Sequence, residues 1–557
     1  MIVASTASAR RDAAGCADPS AIAIFSKLVS TPYKSAPMTL DIARSISRES
    51  WSTGPHSLPT EIVRMIFQFM FESCINSEDC VHGDTPTLWL DEDPLSPSLF
   101  PYALACVCLR WFRILKMVPM YWTRLVVAVD SLSLATSLHA ARIALEWAGN
   151  RPLKVSVTRH DGTSETDDSE HAGVGRAMEF LRPHIRNIWS LSFNVEYSSS
   201  IPALWRERGR AGHLKVLTLQ GRSDAGRVSP SPTWLPTGNC HEFEGRLEVP
   251  RLEQATFGGH FFKNPLMAHP RLASWFRHIT SLTIHGDAPS GRDTISLTKF
   301  LSIMVNNFAS VLELTIEDIH FDDSPPYPTL LTLRPGVLCL RRITGRTALR
   351  DILCRVRARV GSSSRTNITI SDCTVGGFRE TDSYLNPNFS FTNLTLASMD
   401  PRARIEDLVY RWDGKQLSVI DCPSMARAFL DRLQAAPTCL SQLRIVDCDH
   451  FHAGDVIALV QSRETQAAFV SLLGGADDDA FTALAELCVR GRGPPISTKR
   501  ARWLADHVAA FSWDTVARDG LRYVWDGSSG KLVMVPANLS DERSLPVAKL
   551  EAADTAK

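Results

Sequence analysis

Long apolar runs and an excess of charge of one sign are both missing from this sequence. No apolar stretch reaches the roughly eighteen residues that a membrane span needs. Sixty Lys and Arg residues balance sixty Asp and Glu residues, and no basic block stands out. Bulk electrostatic binding to nucleic acid or to an anionic membrane is therefore not indicated. We expect neither nucleic acid nor membrane among the partners of this chain.

The sequence also lacks the common catalytic motifs. It contains no GxxxxGKS/T, HExxH or GxSxG motif and no pair of CxxC motifs. The glycine stretches GVG (173–175) and GRG (491–493) lack the third glycine of a dinucleotide-binding loop. We predict no catalytic residue, no cofactor and no enzymatic activity for the chain on its own.

Cysteine usage and the amino terminus bear on the compartment. The thirteen cysteines are scattered over 557 residues, unlike the disulfide framework of a small secreted domain. The first thirty or so residues lack a clean signal-peptide core. His450 and His452, in the stretch CDHFH (448–452), have no second ligand pair at zinc spacing. We predict a reducing, cytoplasmic and/or nuclear location and no metal site.

The first strong pattern follows residues 1–50, which are rich in Ala and Ser and are predicted to be disordered. It is the stretch SLPTEIVRMIFQFMFE, where Pro59 suits the start of a helix. Apolar residues occupy both sides of this helix: Ile62, Met65, Ile66, Phe69 and Met70 on one, Val63, Phe67 and Phe71 on the other. A helix that is apolar nearly all round is buried on more than one face. We expect part of this surface to meet another protein.

A second helical pattern lies in ALACVCLRWFRILKMV (103–118). Its apolar residues recur at three- and four-residue steps and predict one helix that ends at Pro119: Leu104, Val107, Cys108, Trp111, Leu115 and Val118. Cys106 and Cys108 are two residues apart and would point in different directions, so they cannot chelate one ion. Between the two patterns, about residues 73–100, an acidic, proline-punctuated stretch predicts a solvated insertion.

Together these two patterns resemble a known module. LP-x-x-I-x-x-x-IF, then L-A-x-VC-x-x-W, then MYW, is similar to the F-box, the helical module that docks onto the Skp adaptor of cullin–RING ubiquitin ligases. The resemblance covers roughly residues 57–125, within a predicted domain of residues 51–130, and the acidic insertion departs from a minimal F-box. Large fungal families of F-box proteins resemble this arrangement. The matching positions, which the resemblance implies as adaptor-binding, are Leu58, Pro59, Ile62, Ile66, Phe67, Leu104, Val107, Cys108, Trp111 and Trp122.

Beyond residue 130 a short apolar-x-x-apolar-x-apolar phrase keeps returning. Its copies are IWSLSF (188–193), LKVLTL (214–219), LEQATF (252–257), ITSLTI (279–284), VLELTI (311–316), FTNLTL (391–396), LSQLRI (440–445) and LAELCV (484–489). Weaker copies are LCL (338–340), ITI (368–370) and LSV (417–419). Several successive copies are spaced by about 23–32 residues, the period of leucine-rich repeats. Helical stretches lie between them: LTKFLSIMVNNF, ALRDILCRVRARV, PRARIEDLVYRW and SMARAFLDRLQAA.

These repeats predict an α/β fold in which the helical module is followed by a leucine-rich-repeat horseshoe solenoid over residues 131–545. Strands would line the concave side and helices the convex side, and residues 546–557 would form a tail. Cys373, Cys422 and Cys448 each follow a last apolar strand position by three, where leucine-rich repeats place Asn or Cys to bond the turn backbone.

Polar side chains mark the other face of the predicted strands. Thr or Ser stands between the two apolar strand positions at Thr218, Thr283, Thr315, Thr369, Thr395, Ser192 and Ser418. Strand propensity on a half-exposed face explains this pattern, although a polar floor for a ligand is the alternative. The position two residues after each of these threonines differs from one copy to the next. A ligand would more readily be recognised there, by Gln220, His285, Glu317 and Ser371.

The resemblance implies a substrate-recognition subunit of a Skp–cullin–F-box ubiquitin ligase. The chain would dock on the Skp adaptor, and through it on a cullin–RING ligase, and bind an unknown protein target through its repeats. The alternative is a non-catalytic repeat scaffold whose F-box-like hairpin is a structural cap or serves a ubiquitin-independent interaction.

Overall fold

A computed structural model describes the chain from Leu58 to Pro536 with gaps. The described residues are 58–75, 89, 93–96, 98–130, 133–160, 166–202, 204, 209–221, 247–263, 275–286, 294–322, 332–345, 347–356, 366–375, 391–410, 412–423, 425, 427–435, 439–472, 483–518 and 520–536. The predictions for residues 1–50, for most of the acidic insertion and for the tail 546–557 lie outside them.

The chain has the predicted mixed α/β composition and divides into two compact units, Met1–Gly258 and Gly259–Lys557. Each unit contains a run of parallel strands with helices between them. Within the described segments, no helix is long and apolar enough to cross a membrane.

The first unit opens with a small group of helices: α1 Thr60–Ser73, α2 Tyr102–Ala105, α3 Leu109–Lys116 and a 3₁₀ turn, Pro119–Trp122. The prediction of one continuous helix over residues 104–118 is wrong, because the helix is interrupted between α2 and α3. Cys108 is extended there, with φ −162°, and its sulfur accepts the Trp111 N–H at 3.5 Å. A side chain that takes up an orphan N–H in this way starts a new helix.

Strands in the first unit form one parallel sheet in the order β1-β2-β3-β5-β7 and a separate parallel pair, β4-β6. The strands are β1 Arg124–Ala128, β2 Leu153–Thr158, β3 Ile188–Val195, β4 Gly209–Arg210, β5 Val216–Gly221, β6 Leu247–Glu248 and β7 Gln254–Gly258. The helices α4 Leu134–Ala148 and α5 Asp167–Leu181 connect the first three strands. Because β1 already pairs with β2, strand pairing begins before residue 131, within the predicted helical domain.

The second unit continues with a long run of parallel strands. In sheet order these are β8 Ser281–His285, β9 Glu313–Glu317, β10 Val337–Arg341, β11 Asn367–Ser371, β12 Asn393–Ala397, β13 Gln416–Ile420, β14 Gln442–Val446, β15 Glu486–Arg492 and β16 Ala510–Val516. Two antiparallel strands, β17 Leu521–Asp526 and β18 Lys531–Pro536, complete this sheet. All eleven copies of the repeated phrase, in both units, overlap a strand, so the strand prediction is confirmed.

Helices lie between several strands of the second unit: α6 Leu297–Asn307, α7 Ala348–Leu353, α8 Ile405–Tyr410, α9 Arg427–Ala435, α10 Ala453–Leu472 and α11 Thr498–His507. Each of the four predicted helical stretches contains one of α6 to α9. From α8 to α11, each helix packs against the next. These helices are therefore neighbours in chain order, as the strands of the sheet are.

The two faces of the second unit's sheet differ in burial. From β8 to β15, the apolar residues at the second and fourth strand positions, such as Leu282 and Ile284, are buried, and full burial of one such side chain contributes about 1.5–3 kcal/mol. We name the opposite side, formed by the first, third and fifth positions of β8 to β15, the open sheet face. Four residues of the predicted half-exposed row, Thr283, Thr315, Thr369 and Thr395, lie on it and are partly exposed. Ser418 lies on the same face but is buried, and Ser192 and Thr218 lie on strands of the first unit.

The turn after each strand repeats a rare backbone conformation. The residue that follows the strand has a positive φ, between 48° and 59°, in six consecutive repeats: Asp318, Arg342, Asp372, Ser398, Asp421 and Asp447. The left-handed region is uncommon for residues with side chains, and Asp is among those that tolerate it best. One such residue per repeat reverses the chain at the same point each time.

A cysteine row lies one residue beyond these turns. The sulfur of Cys373 accepts the Ile343 N–H at 3.4 Å, and that of Cys448 accepts the Cys422 N–H at 3.5 Å. All three cysteines of this row are buried, and burial raises the pKa of Cys373 and Cys448 to about 12 and that of Cys422 to about 11. The predicted bonding of these thiols to the turn backbone is confirmed, and they stay protonated and unreactive at neutral pH.

Candidate protein-binding surfaces

The helix α1 has two apolar faces, of which one is buried and the other is exposed to solvent. Val63, Phe67 and Phe71 are buried inside the first unit. The other apolar side, which we name the α1 open face, consists of Ile62, Met65, Ile66, Phe69 and Met70. Met65 is 67% exposed and Phe69 is 73% exposed. A contiguous exposed apolar patch on one helix is a mark of an interaction surface.

The residues predicted to bind an adaptor fall into three groups by burial. Exposed are Pro59, Ile62, Ile66 and Val107; half-buried are Leu58, Leu104, Cys108 and Trp111; buried are Phe67 and Trp122. Phe67 and Trp122 have 0% exposure, so their placement on a contact surface is corrected: they hold the interior of the unit together. Met65, Phe69 and Met70 belong to the same surface as Ile62 and Ile66, although the motif does not include them.

The start of α1 is held against α3 by specific contacts. The Arg110 guanidinium donates to the Leu58 carbonyl and, at 3.4 Å, to the Thr60 hydroxyl. The rings of Phe67 and Trp111 pack edge to face with centroids 5.2 Å apart. These contacts fix Leu58 beside α3 and leave Pro59 exposed at the surface.

A shallow pocket adjoins this junction on α3. Its lining residues are Cys108, Leu109, Arg110, Arg113, Ile114 and Met117. Leu109 and Met117 are exposed apolar residues, and two arginines border them. Because Arg110 also contacts the Leu58 carbonyl, the pocket lies next to the beginning of α1. An apolar depression with cationic edges suits an apolar side chain next to a carboxylate.

Trp122 joins the helices to the first strands. Its indole N–H donates to the Leu115 carbonyl at 3.0 Å, and its ring lies 4.5 Å from the ring of Trp147 on α4. Phe112 packs on the same Trp147 ring at 5.1 Å. The helical group and the β1–α4 segment therefore share one interior, which sequence reasoning from the motif did not reveal.

On the open sheet face, two predicted ligand residues form an ion cluster. His285 and Glu317 are in register on β8 and β9, and His Nδ1 lies 3.2 Å from a Glu oxygen. Arg341 and Arg342 approach the other Glu317 oxygen at 3.1 and 2.7 Å. The cluster is therefore neutralised largely within the chain.

Arg342 also reaches the carboxylate of Asp318, with a nitrogen–oxygen distance of 2.6 Å. The hydrogen bond from Arg342 is the main cause that lowers the pKa of Asp318 below its ordinary value. Ser371 on β11 is in register with Arg341 on β10, so it lies beside this ion cluster. Gln220 lies on β5 of the first unit, in register with Asn194, and belongs to that sheet.

Two observations on the described residues concern metal binding and a possible serine triad. No group of three or more His, Cys, Asp or Glu side chains among them could hold a metal ion. Asp130 contacts His160 Nδ1, and the Ser133 hydroxyl donates to Asp130 at 3.2 Å. A serine triad needs that hydroxyl on the imidazole, with the carboxylate behind it, so this arrangement is a hydrogen-bonded anchor for the turn after β1.

Comparison with known proteins adds no assignment. No protein-family model matches this chain, and no curated protein matches it.

Proposed function

We propose that this protein is a substrate-recognition subunit of a Skp–cullin–F-box ubiquitin ligase. The helices α1 to α3 act as an F-box that docks on the Skp adaptor. The repeated strands and helices form a leucine-rich-repeat horseshoe, strands inside and helices outside, which binds a protein target. The chain acts in the cytoplasm and/or the nucleus.

The α1 open face is the observation that carries this proposal. Val63, Phe67 and Phe71 already supply the interior of the first unit, so the second apolar face is not needed for folding. Five apolar side chains stay exposed on it, and burying each against a partner contributes about 1.5–3 kcal/mol before the costs of association. Two of them, Ile62 and Ile66, are positions of the F-box-like motif.

Such a receptor contributes to ubiquitin transfer by proximity. It holds a target beside a ubiquitin-loaded enzyme, so that a bimolecular step becomes effectively intramolecular. No acid, base or nucleophile from this chain takes part. This role agrees with the polar open sheet face, where the His285–Glu317 cluster is ion-paired within the chain.

Titration of the full chain with purified Skp adaptor tests the proposal. The wild-type chain is expected to form a complex at micromolar concentration. The double variant Leu58→Ala/Pro59→Ala should weaken that complex at least about tenfold, because it removes one exposed and one half-buried side chain at the start of α1. The Leu58 carbonyl that accepts from Arg110 is retained in this variant, so the fold should persist.

Phe469→Ala is the matched control for this titration. Phe469 is an apolar residue of α10 that is 61% exposed, outside the α1 surface. Its removal should leave adaptor affinity unchanged. The absence of any complex with the wild-type chain would refute the proposal. An affinity of Leu58→Ala/Pro59→Ala within about twofold of wild type would refute the placement of the docking surface.

The second candidate is a repeat scaffold in which α1 to α3 only cap the first strands. The shared interior of Trp122, Phe112 and Trp147 favours it, since a cap must cover the apolar end of a repeat array. A cap accounts for the buried side of α1 and leaves its exposed side without a role. In this case the adaptor titration would yield no complex, while removal of the helices would unfold the first unit.

A further inference from the structure

Arg444 is an unusual residue on the open sheet face. It occupies the central position of β14, in register with Ser418 on β13 and Cys488 on β15. The same position on β11 and β12 holds Thr369 and Thr395. Among these five neighbouring strands, Arg444 is the one charge in a row of small, uncharged side chains.

The side chain of Arg444 is half-buried, and one of its nitrogens has neither water nor a partner among the described residues. Its Nε is completely buried and forms no hydrogen bond within the described part of the chain. No described carboxylate lies within ion-pair distance of this side chain. A buried donor without a partner costs about 1–3 kcal/mol, and more when it is charged. Such a cost is expected where a protein keeps a group ready for a ligand.

A second arginine lies next to it on the same face. Arg490 follows Cys488 by two residues on β15, and its side chain is exposed. Two residues along a strand and one strand across place its Cα about 8 Å from that of Arg444. Arg490 also has no ion pair among the described residues. Two long side chains from this distance can converge on one anion.

Two of the surrounding carboxylates are paired with other arginines. Asp514, opposite Arg490 on β16, accepts two hydrogen bonds of 2.8 Å from Arg522. Asp421, at the turn after β13, accepts from Arg492 at 2.9 Å. Glu486 lies on the same face, two residues before Cys488, so its Cα is about as far from that of Arg444 as the Cα of Arg490 is, and it forms no ion pair with either arginine among the described residues.

Uncharged amides extend this surface. Asn367, Asn393, Gln416 and Gln442 occupy the first position of four consecutive strands, in register. The Asn393 amide donates to the Asn367 carbonyl oxygen at 2.7 Å. Amide side chains both donate and accept, which are the two functions that a peptide backbone needs from a binding surface.

We propose that Arg444 and Arg490 form an anion subsite that recognises an acidic group of the protein target, either a carboxylate or a phosphate. The acidic group lies between the two guanidinium groups, and the adjoining polypeptide runs over the amide row. Arginine suits this role because its planar donors match both anions in a bidentate geometry. The inference rests on the proposed function in taking the ligand to be a protein target.

Binding of the full chain to immobilised peptides tests the subsite. Peptides of degenerate sequence carry one fixed central residue in three sets: phosphoserine, glutamate or glutamine. We expect at least one anionic set to bind about tenfold or more better than the glutamine set, the effect of one charge-assisted hydrogen bond. The better of the two anionic sets identifies the source of the charge. Equal binding of all three sets would overturn the inference.

The variant Arg444→Gln/Arg490→Gln should lose this preference for anionic peptides. The control Arg427→Gln changes an arginine whose side chain is 77% exposed on α9 and should keep it. A preference that survives in the double variant overturns the inference. Arg444→Gln alone should not lower the thermal midpoint, because it removes a buried nitrogen that has no hydrogen-bond partner among the described residues. A fall of more than about 4 °C would reveal a partner inside the chain and would equally overturn it.

The same preparations are titrated with Skp adaptor to separate the two proposals. Adaptor binding should be equal in wild type and in Arg444→Gln/Arg490→Gln. If the adaptor fails to bind while the peptide preference is present, the ligase role is refuted and the anion subsite stands. If the adaptor binds and the preference is absent, only the subsite is refuted.

Discussion

Phe67 and Phe69 provide a direct comparison of the two sides of α1. They are the same residue type, two positions apart on one helix, with exposures of 0% and 73%. Phe67→Ala removes a fully buried ring and leaves a cavity, which costs about 3–5 kcal/mol. The edge-to-face contact with Trp111 adds about 0.5–1.5 kcal/mol to the energy of the native pair. Phe69→Ala should change stability by less than about 0.5 kcal/mol.

Urea unfolding of the full chain, followed by tryptophan fluorescence, measures this difference. Of the thirteen tryptophans, Trp111, Trp122 and Trp147 lie on or against these helices, so the part of the transition that Phe67→Ala shifts is the part that reports on the first unit. A loss of 3–5 kcal/mol is a large share of the total stability of a unit. Phe67→Leu, which keeps most of the buried volume, therefore serves as a milder variant and should cost about 1–2 kcal/mol.

Adaptor titration of the same variants should show the reverse order. Phe69→Ala should weaken the complex with unchanged stability, while Phe67→Leu should retain affinity in its folded fraction. If Phe69→Ala destabilises the chain as much as Phe67→Ala does, part of the chain covers the α1 open face. The conclusion that one face of α1 is buried and the other is exposed would then be refuted.

Two further predictions concern ionised side chains. Glu170 is completely buried, and its carboxylate accepts from Arg159 at 3.0 Å, so Glu170→Gln should cost about 3–5 kcal/mol in urea unfolding; Glu248→Gln, at a side chain 67% exposed, should cost less than about 0.5 kcal/mol, and equal losses would contradict this. Because the pKa of Asp318 is lowered, its hydrogen bond from Arg342 stabilises the fold above the ordinary value of 3.8 and ceases to do so as pH falls through the lower, folded value. Asp318→Asn should therefore be less stable than wild type at neutral pH, with a difference that shrinks in acid; a difference independent of pH would contradict the assignment.

Much of the strand pattern was predictable from the sequence. The spacing of apolar residues within a strand and the return of the phrase every few tens of residues are local properties. Leu282 and Ile284 are buried because any strand with that pattern has one apolar face. The cysteines of the turn row could also be predicted from the sequence, because the backbone of the turn fixes their position relative to the strand. The left-handed residues just before them carried a signal that was missed: Asp, Arg or Ser at one constant position after the strand.

The candidate sites were predictable only in part. Periodicity showed that α1 is apolar on two sides, but it could not show that Phe67 is covered and Phe69 is exposed, because burial depends on what packs against each side. It also predicted one helix through Cys108, where the thiol in fact accepts an N–H and starts a new helix. Both outcomes depend on contacts that the local pattern does not contain.

The sequence by itself determined the mixed α/β composition, the repeated strands and the two-sided apolar helix, because these follow from the order of neighbouring residues. Tertiary structure alone decided which charges meet. Strand register places Glu317 beside His285 and brings two arginines onto it, so that this part of the face is paired. The same register places Arg444 between Ser418 and Cys488 and leaves its Nε buried without a hydrogen bond to any described residue. Residues distant in sequence become neighbours only through the pairing of strands, and the energy of a charge depends on those neighbours.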